Sequence, residues 1–181
     1  VYTLVAACIF GAFLSYLNTS QQIFQQQYGL GTQFPLYFAF LAIAVGVASL
    51  LNSQMVMRFG MHTLANLALL LMTILSWLFL LVVWLAGGHP ALWLFMLLCL
   101  ALFFCLGVLF GNLNSIAMEP LGHVAGTAAA VIGSFSTLMA VILSFIIGQA
   151  YDGTLYPMAM GFAILGSISL VLTRGVDLPD N

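Results

Sequence analysis

Residues 63–86 read TLANLALLLMTILSWLFLLVVWLA, and they hold ten leucines and no charged side chain. A helix rising 1.5 Å per residue needs roughly 20 residues to cross about 30 Å of hydrocarbon, so this stretch is long enough to span a bilayer. A central Asp, Lys or Arg would cost about 2.5 to 3.5 kcal/mol on insertion. Exclusion of charge over this length is the pattern of a helix solvated by lipid. With few small residues among its leucines, this helix is expected to face lipid over much of its surface.

The same pattern recurs on both sides of it. Only six of the 181 residues are charged and 64% are hydrophobic, with a mean hydropathy of +1.21. A soluble domain is roughly 45–50% apolar. Further apolar stretches lie at about 1–25, 34–57, 91–118, 123–150 and 155–173. Gly, Pro or charge punctuates every boundary: QQQYGLGTQ at 25–33, Arg58-Phe59-Gly60, Gly87-Gly88-His89-Pro90, Glu119-Pro120-Leu121-Gly122, Asp152-Gly153, and Arg174 before a polar tail at 175–181. The expected fold is an all-α membrane protein, one domain over 1–181 with six transmembrane helices. The first apolar run has no basic region before it and ends in glutamines rather than a small-residue cleavage site, so it reads as a retained span. The missing initiator Met is consistent with a part excised from a longer chain.

Orientation follows from counting spans. Arg58 follows the second and Arg174 the sixth, so both lie on one side together with the amino terminus. The positive-inside rule makes that side cytoplasmic and puts both termini there.

Several function classes are excluded. There is no basic patch for nucleic acid. Cys8, Cys99 and Cys105 lie in apolar runs without a CxxC pair and read as inert thiols. His62, His89 and His123 are assigned to the membrane ends, so neither a metal cluster nor an intramembrane Ser–His pair is expected. No phosphate-cradling glycine motif occurs. The expectation is a protein that is not an enzyme and holds no metal or cofactor.

Polar and small residues are arranged in stripes. Gly11, Ser15, Asn18, Gln22 and Gln25 are spaced 4,3,4,3 and share one face of the first helix. Polar groups at membrane depth need protein or a wet cavity beside them. Ser15, Asn18 and Gln22 are therefore candidates for a substrate pathway near the outer surface. Residues 107–115, GVLFGNLNS, carry Asn112 and Asn114 as candidates near the inner surface. That string matches residues 11–19, GAFLSYLNT, at its Gly, Leu and Asn positions, 96 residues and three spans apart. A three-plus-three inverted repeat, about 1–87 and 90–174, is expected from this placement. Two seams of small residues, Ala39, Ala42, Gly46, Ser49 and Ser53, and then Gly122, Gly126, Ala129, Gly133, Thr137, Ala140, Ser144 and Gly148, predict close helix packing. No acid, base or His sits at mid-membrane, so the chain supplies no proton relay of its own. Glu119 is expected to sit at the cytoplasmic end, paired with Arg58 or another domain.

The string at 110–134, FGNLNSIAMEPLGHVAGTAAAVIGS, resembles the tenth-to-eleventh helix region of the Bcr/CflA drug-resistance transporters of the major facilitator superfamily. Ser136-Thr137 and GQAYDGT at 148–154 continue the likeness, and LNSQMVMRFG at 51–60 does so more weakly. The resemblance covers the whole chain as a carboxyl-terminal six-helix half. It implies a proton-coupled antiporter of the bacterial inner membrane that exports drugs or metabolites and so confers antibiotic resistance. Its cavity would lie between this half and an amino-terminal half, which would supply the proton coupling. Spans one, two, four and five would line or flank the cavity. The alternative is a non-transporting membrane module that assembles with a partner half.

Overall fold

A computed structural model describes residues 1–176. The chain forms α1 (Tyr2–Gln22), prolonged by a π turn at Ile23–Gln27, then α2 (Phe34–Phe59), α3 (Met61–Leu85), α4 (Leu92–Met118), α5 (Ala125–Gln149) and α6 (Tyr156–Val176). Among the described residues there is no strand. All six helices are long and apolar enough to cross a membrane. Lipid offers a backbone no hydrogen bonds, so each span satisfies its own. The helices alternate in direction between two ends, here called the terminal end, where α1 begins and α6 finishes, and the opposite end.

Element boundaries differ from the sequence expectation by up to three residues. The fifth helix starts at Ala125 rather than 123, because the preceding Glu119–Val124 forms a 3-10 segment with Pro120 in its first turn. Pro favours a helix start and cannot donate in an α-helix interior. The first span is helical as far as Gln27.

Helices α1 and α4 occupy the centre. Helix α1 packs on α5, α6 and α4, while α4 packs on α2 and α3, and α3 also packs on α6. Rings join the two central helices: Phe103 lies edge-on to Tyr16 at 4.7 Å and to Phe13 at 5.5 Å, and Tyr16 stacks on Phe38 of α2 at 6.1 Å. Such ring pairs add about 0.5–1.5 kcal/mol each beyond area burial.

Glycine sets the closest approaches. A Cβ on Gly107 would overlap the Val45 carbonyl oxygen and stand 2.7 Å from Ala48 Cβ. On Gly11 it would stand 3.0 Å from Leu143 Cβ and 3.3 Å from the Ala140 carbonyl oxygen. Helix α4 is thus seated directly on the backbone of α2, and α1 on that of α5.

The two seams expected to pack do not all do so. On α2 the buried residues are Leu41, Ala44, Ala48 and Asn52, whereas Ala39, Ala42, Gly46, Ser49 and Ser53 are all exposed. On α5 the buried line is Ala128, Ile132, Ser136, Ala140 and Ser144. It shares only Ala140 and Ser144 with the expected seam. A Cβ on Gly46, Gly122, Gly126 or Gly133 would meet no atom within 4 Å. Both helices carry two stripes of small residues, and spacing alone does not say which one meets a neighbour. As a result only 17% of the most apolar window of α2 and 22% of that of α5 is buried, against 39–50% in the other four spans. Helix α3 divides as its leucines suggested, with Leu67, Leu71, Ile74, Trp77, Leu78, Leu81 and Trp84 exposed along it.

Gly107→Ala should force α2 and α4 apart and lower stability by about 1–3 kcal/mol, the usual range for overpacking. Gly46→Ala and Gly133→Ala, made into open space within helices, should be neutral or slightly stabilising. Thermal unfolding of the three variants in detergent checks the contrast, and equal losses would contradict this packing.

Candidate functional site

The polar stripe of α1 divides along its length. Ser15 is fully buried and donates its hydroxyl to the Ala12 carbonyl at 2.7 Å. Asn18 is exposed and donates its amide to Ser144 Oγ of α5 at 3.3 Å. Gln22 is exposed, as is Gln25, which accepts from Gln21 at 3.3 Å. The stripe therefore packs against α5 at its lower part and emerges beside α5 at the opposite end.

The loops at that end are tied together. The Gly88 carbonyl accepts from the Leu155 amide at 3.1 Å and from Gln27 Nε2 at 3.4 Å. The Tyr28 hydroxyl donates to the Pro90 carbonyl at 2.9 Å. Gly88 has φ +91°, and a Cβ there would lie 2.9 Å from Thr154 Cβ, so both backbone conformation and space call for glycine. Next to it, the Thr154 hydroxyl and amide donate to Asp152 Oδ1 at 2.6 and 3.0 Å. Those bonds hold the Asp152 carboxyl below its usual range.

A cleft of about 240 Å³ opens between α1, α4 and α5 towards the terminal end. Ala6, Phe10, Phe110, Asn114, Gly133 and Thr137 are among the residues lining it. Asn114 is exposed and donates its amide to the Phe110 carbonyl at 3.0 Å. Gly133, expected to pack, instead supplies open space here. Ser136 borders the cleft and donates to the Thr3 carbonyl at 3.3 Å.

Asn112 does not belong to this cleft. It is buried and exchanges amide bonds with Asn52 of α2, donating at 2.8 Å and accepting at 3.4 Å, and it also donates to the Val108 carbonyl at 3.0 Å. The sequence placed Asn112 with Asn114 near the inner surface, but two positions along a helix is a turn of about 200°, so they face different neighbours. Asn52 was not singled out. Its signal was an amide in an apolar run, in register with Ala44 and Ala48 rather than with the small stripe.

At the terminal end Glu119 pairs with His62 rather than with Arg58, Oε2 to Nε2 at 3.0 Å, and both side chains are about half exposed. The ring of Tyr2 stands edge-on to His62 at 6.0 Å. The Arg58 guanidinium lies over Phe59 at 5.4 Å. His62 lies in the first turn of α3 and Arg58 in the last turn of α2, and of these two helix ends on α4 it is that of α3 which reaches Glu119.

Comparison of the chain with protein-family models, with curated proteins and with solved structures found no match.

Asn112→Leu should strand the buried Asn52 amide and cost about 1–3 kcal/mol. The Asn52→Leu, Asn112→Leu double variant should lose less than the sum of the two single losses. A double-mutant cycle by unfolding in detergent measures this. Strict additivity would mean that the two amides do not interact.

Proposed function

We propose that this chain is one six-helix half of a twelve-helix efflux transporter of the major facilitator type, an antiporter that moves small amphipathic molecules by alternating access. The observation that carries the reading is the unpartnered face of α2 and α5. Those two helices keep exposed stripes of small and hydroxyl residues, Ala39, Gly46 and Ser49 on one and Gly126, Gly133 and Thr137 on the other. Small-residue stripes associate transmembrane helices where another backbone can approach, and a second half supplies such backbones.

The pattern of contacts supports a three-plus-three inverted repeat. Helix α1 meets α5 and α6 where α4 meets α2 and α3, and each pair closes on a glycine, Gly11 and Gly107, that occupies the same offset in the matching strings. Polar groups stand at both ends of the path: Asn18 and Gln22 at the opposite end, Asn114 and Thr137 in the cleft at the terminal end. We place the terminal end in the cytoplasm of a bacterial inner membrane, because Arg58 and Arg174 both lie there. With no charged residue in mid-span, proton coupling belongs to the other half.

In the complete reading frame, Gly133→Leu and Asn114→Leu should lower export of an amphipathic dye roughly tenfold, equivalent to about 1.4 kcal/mol, at unchanged membrane expression. Unchanged export would overturn the pathway. Dye flux through liposomes holding this chain alone would overturn the half-transporter reading.

A further inference from the structure

A second cavity, of about 330 Å³, lies between α3 and α6 at the terminal end, on the side of the bundle away from the α1–α5 cleft. Its walls are Asn66, Leu67 and Leu70 of α3 and Leu170, Thr173 and Arg174 of α6. These residues are layered by depth. Arg174 is in the last turn of α6 and is exposed, whereas Leu170 lies one turn deeper, about 6 Å at 1.5 Å per residue. On α3 the order runs the same way, with Asn66 nearer the end and Leu70 one turn deeper. The cavity therefore has a cationic, amide-bearing rim and a leucine floor.

We infer that this cavity is a binding site for one anionic phospholipid, its phosphate held by Arg174 at the rim and an acyl chain lying on Leu67, Leu70 and Leu170. The rim stands where a helix leaves the hydrocarbon, the depth of a lipid phosphate. The guanidinium offers two parallel donors that match phosphate oxygens, and basic pockets between transmembrane helices take anionic headgroups. The Arg174 guanidinium at the rim makes the site complementary to an anionic headgroup. The described carboxylates are committed elsewhere, Glu119 with His62 and Asp152 at the opposite end. Asp177 and Asp180 lie outside the described residues. Thr173 is not a competing donor, because its hydroxyl already donates to the Ser169 and Leu170 carbonyls at 3.1 and 3.0 Å. The site needs no second half and no transport activity, so it stands apart from the function proposed above.

Native mass spectrometry of the full chain, released from mixed micelles of phosphatidylglycerol or phosphatidylcholine, tests this directly. The chain should retain phosphatidylglycerol in preference to phosphatidylcholine. Arg174→Gln should reduce that retention about fivefold, the effect of one cationic contact at a membrane surface. Arg58→Gln, which removes the same charge elsewhere, should leave it unchanged. Leu170→Trp, which fills the floor but keeps the arginine, should reduce it as well, and this keeps the test decisive if Arg174→Gln misfolds. Equal retention of the two lipids, or an equal loss in Arg58→Gln and Arg174→Gln, would overturn the site. Displacement of the lipid by inorganic phosphate would show a plain anion site and would also overturn it.

Discussion

The contact on which the rest of the bundle depends is the seating of α4 on the backbone of α2 at Gly107, with its counterpart of α1 on α5 at Gly11. In water, burying leucine would drive helices together. In lipid the surroundings are as apolar as the leucine, so association depends on dispersion between closely fitted surfaces and on the few polar groups that find partners. Removing a side chain at Gly107 lets the Val45 carbonyl and Ala48 come within reach of α4. Once that approach is set, Asn52 and Asn112 fall opposite one another and their amides close on each other.

The distribution of polar groups follows from the same constraint. Hydroxyls within the spans mostly turn back on their own helix, as Ser15, Thr19, Ser76 and Thr73 do on carbonyls three or four residues earlier. A few reach across: Thr73 also donates to the Gly166 carbonyl and Trp77 to Ser167, tying α3 to α6. Charged groups are left to the ends, where Glu119 with His62 joins two segments and Asp152 with Thr154 closes a turn within one loop. Mid-span, the described part of the molecule has no group to carry a proton, and this is why the proposed transport function assigns coupling elsewhere.

The candidate residues show how far spacing can be trusted. Asn18 and Asn114 each carry an amide on a face that emerges from the packing. Ser15 and Asn112 are also polar and sit close by in sequence, yet both are buried. Glu119 was legible as an end charge but not by partner, since α2 and α3 both pack on α4 and only the tertiary structure shows which of their end residues reaches it.

Length, hydropathy and punctuation by Gly, Pro and charge were enough to determine six lipid-solvated helices and nearly all their ends, because the bilayer imposes those features on each segment separately. Which stripe of α2 and α5 meets a neighbour, and which amide is buried, was decided only by the tertiary structure. The reason is that lipid does not distinguish an inward apolar face from an outward one. Only backbone proximity and hydrogen-bond pairing make that distinction, and both are properties of two helices together.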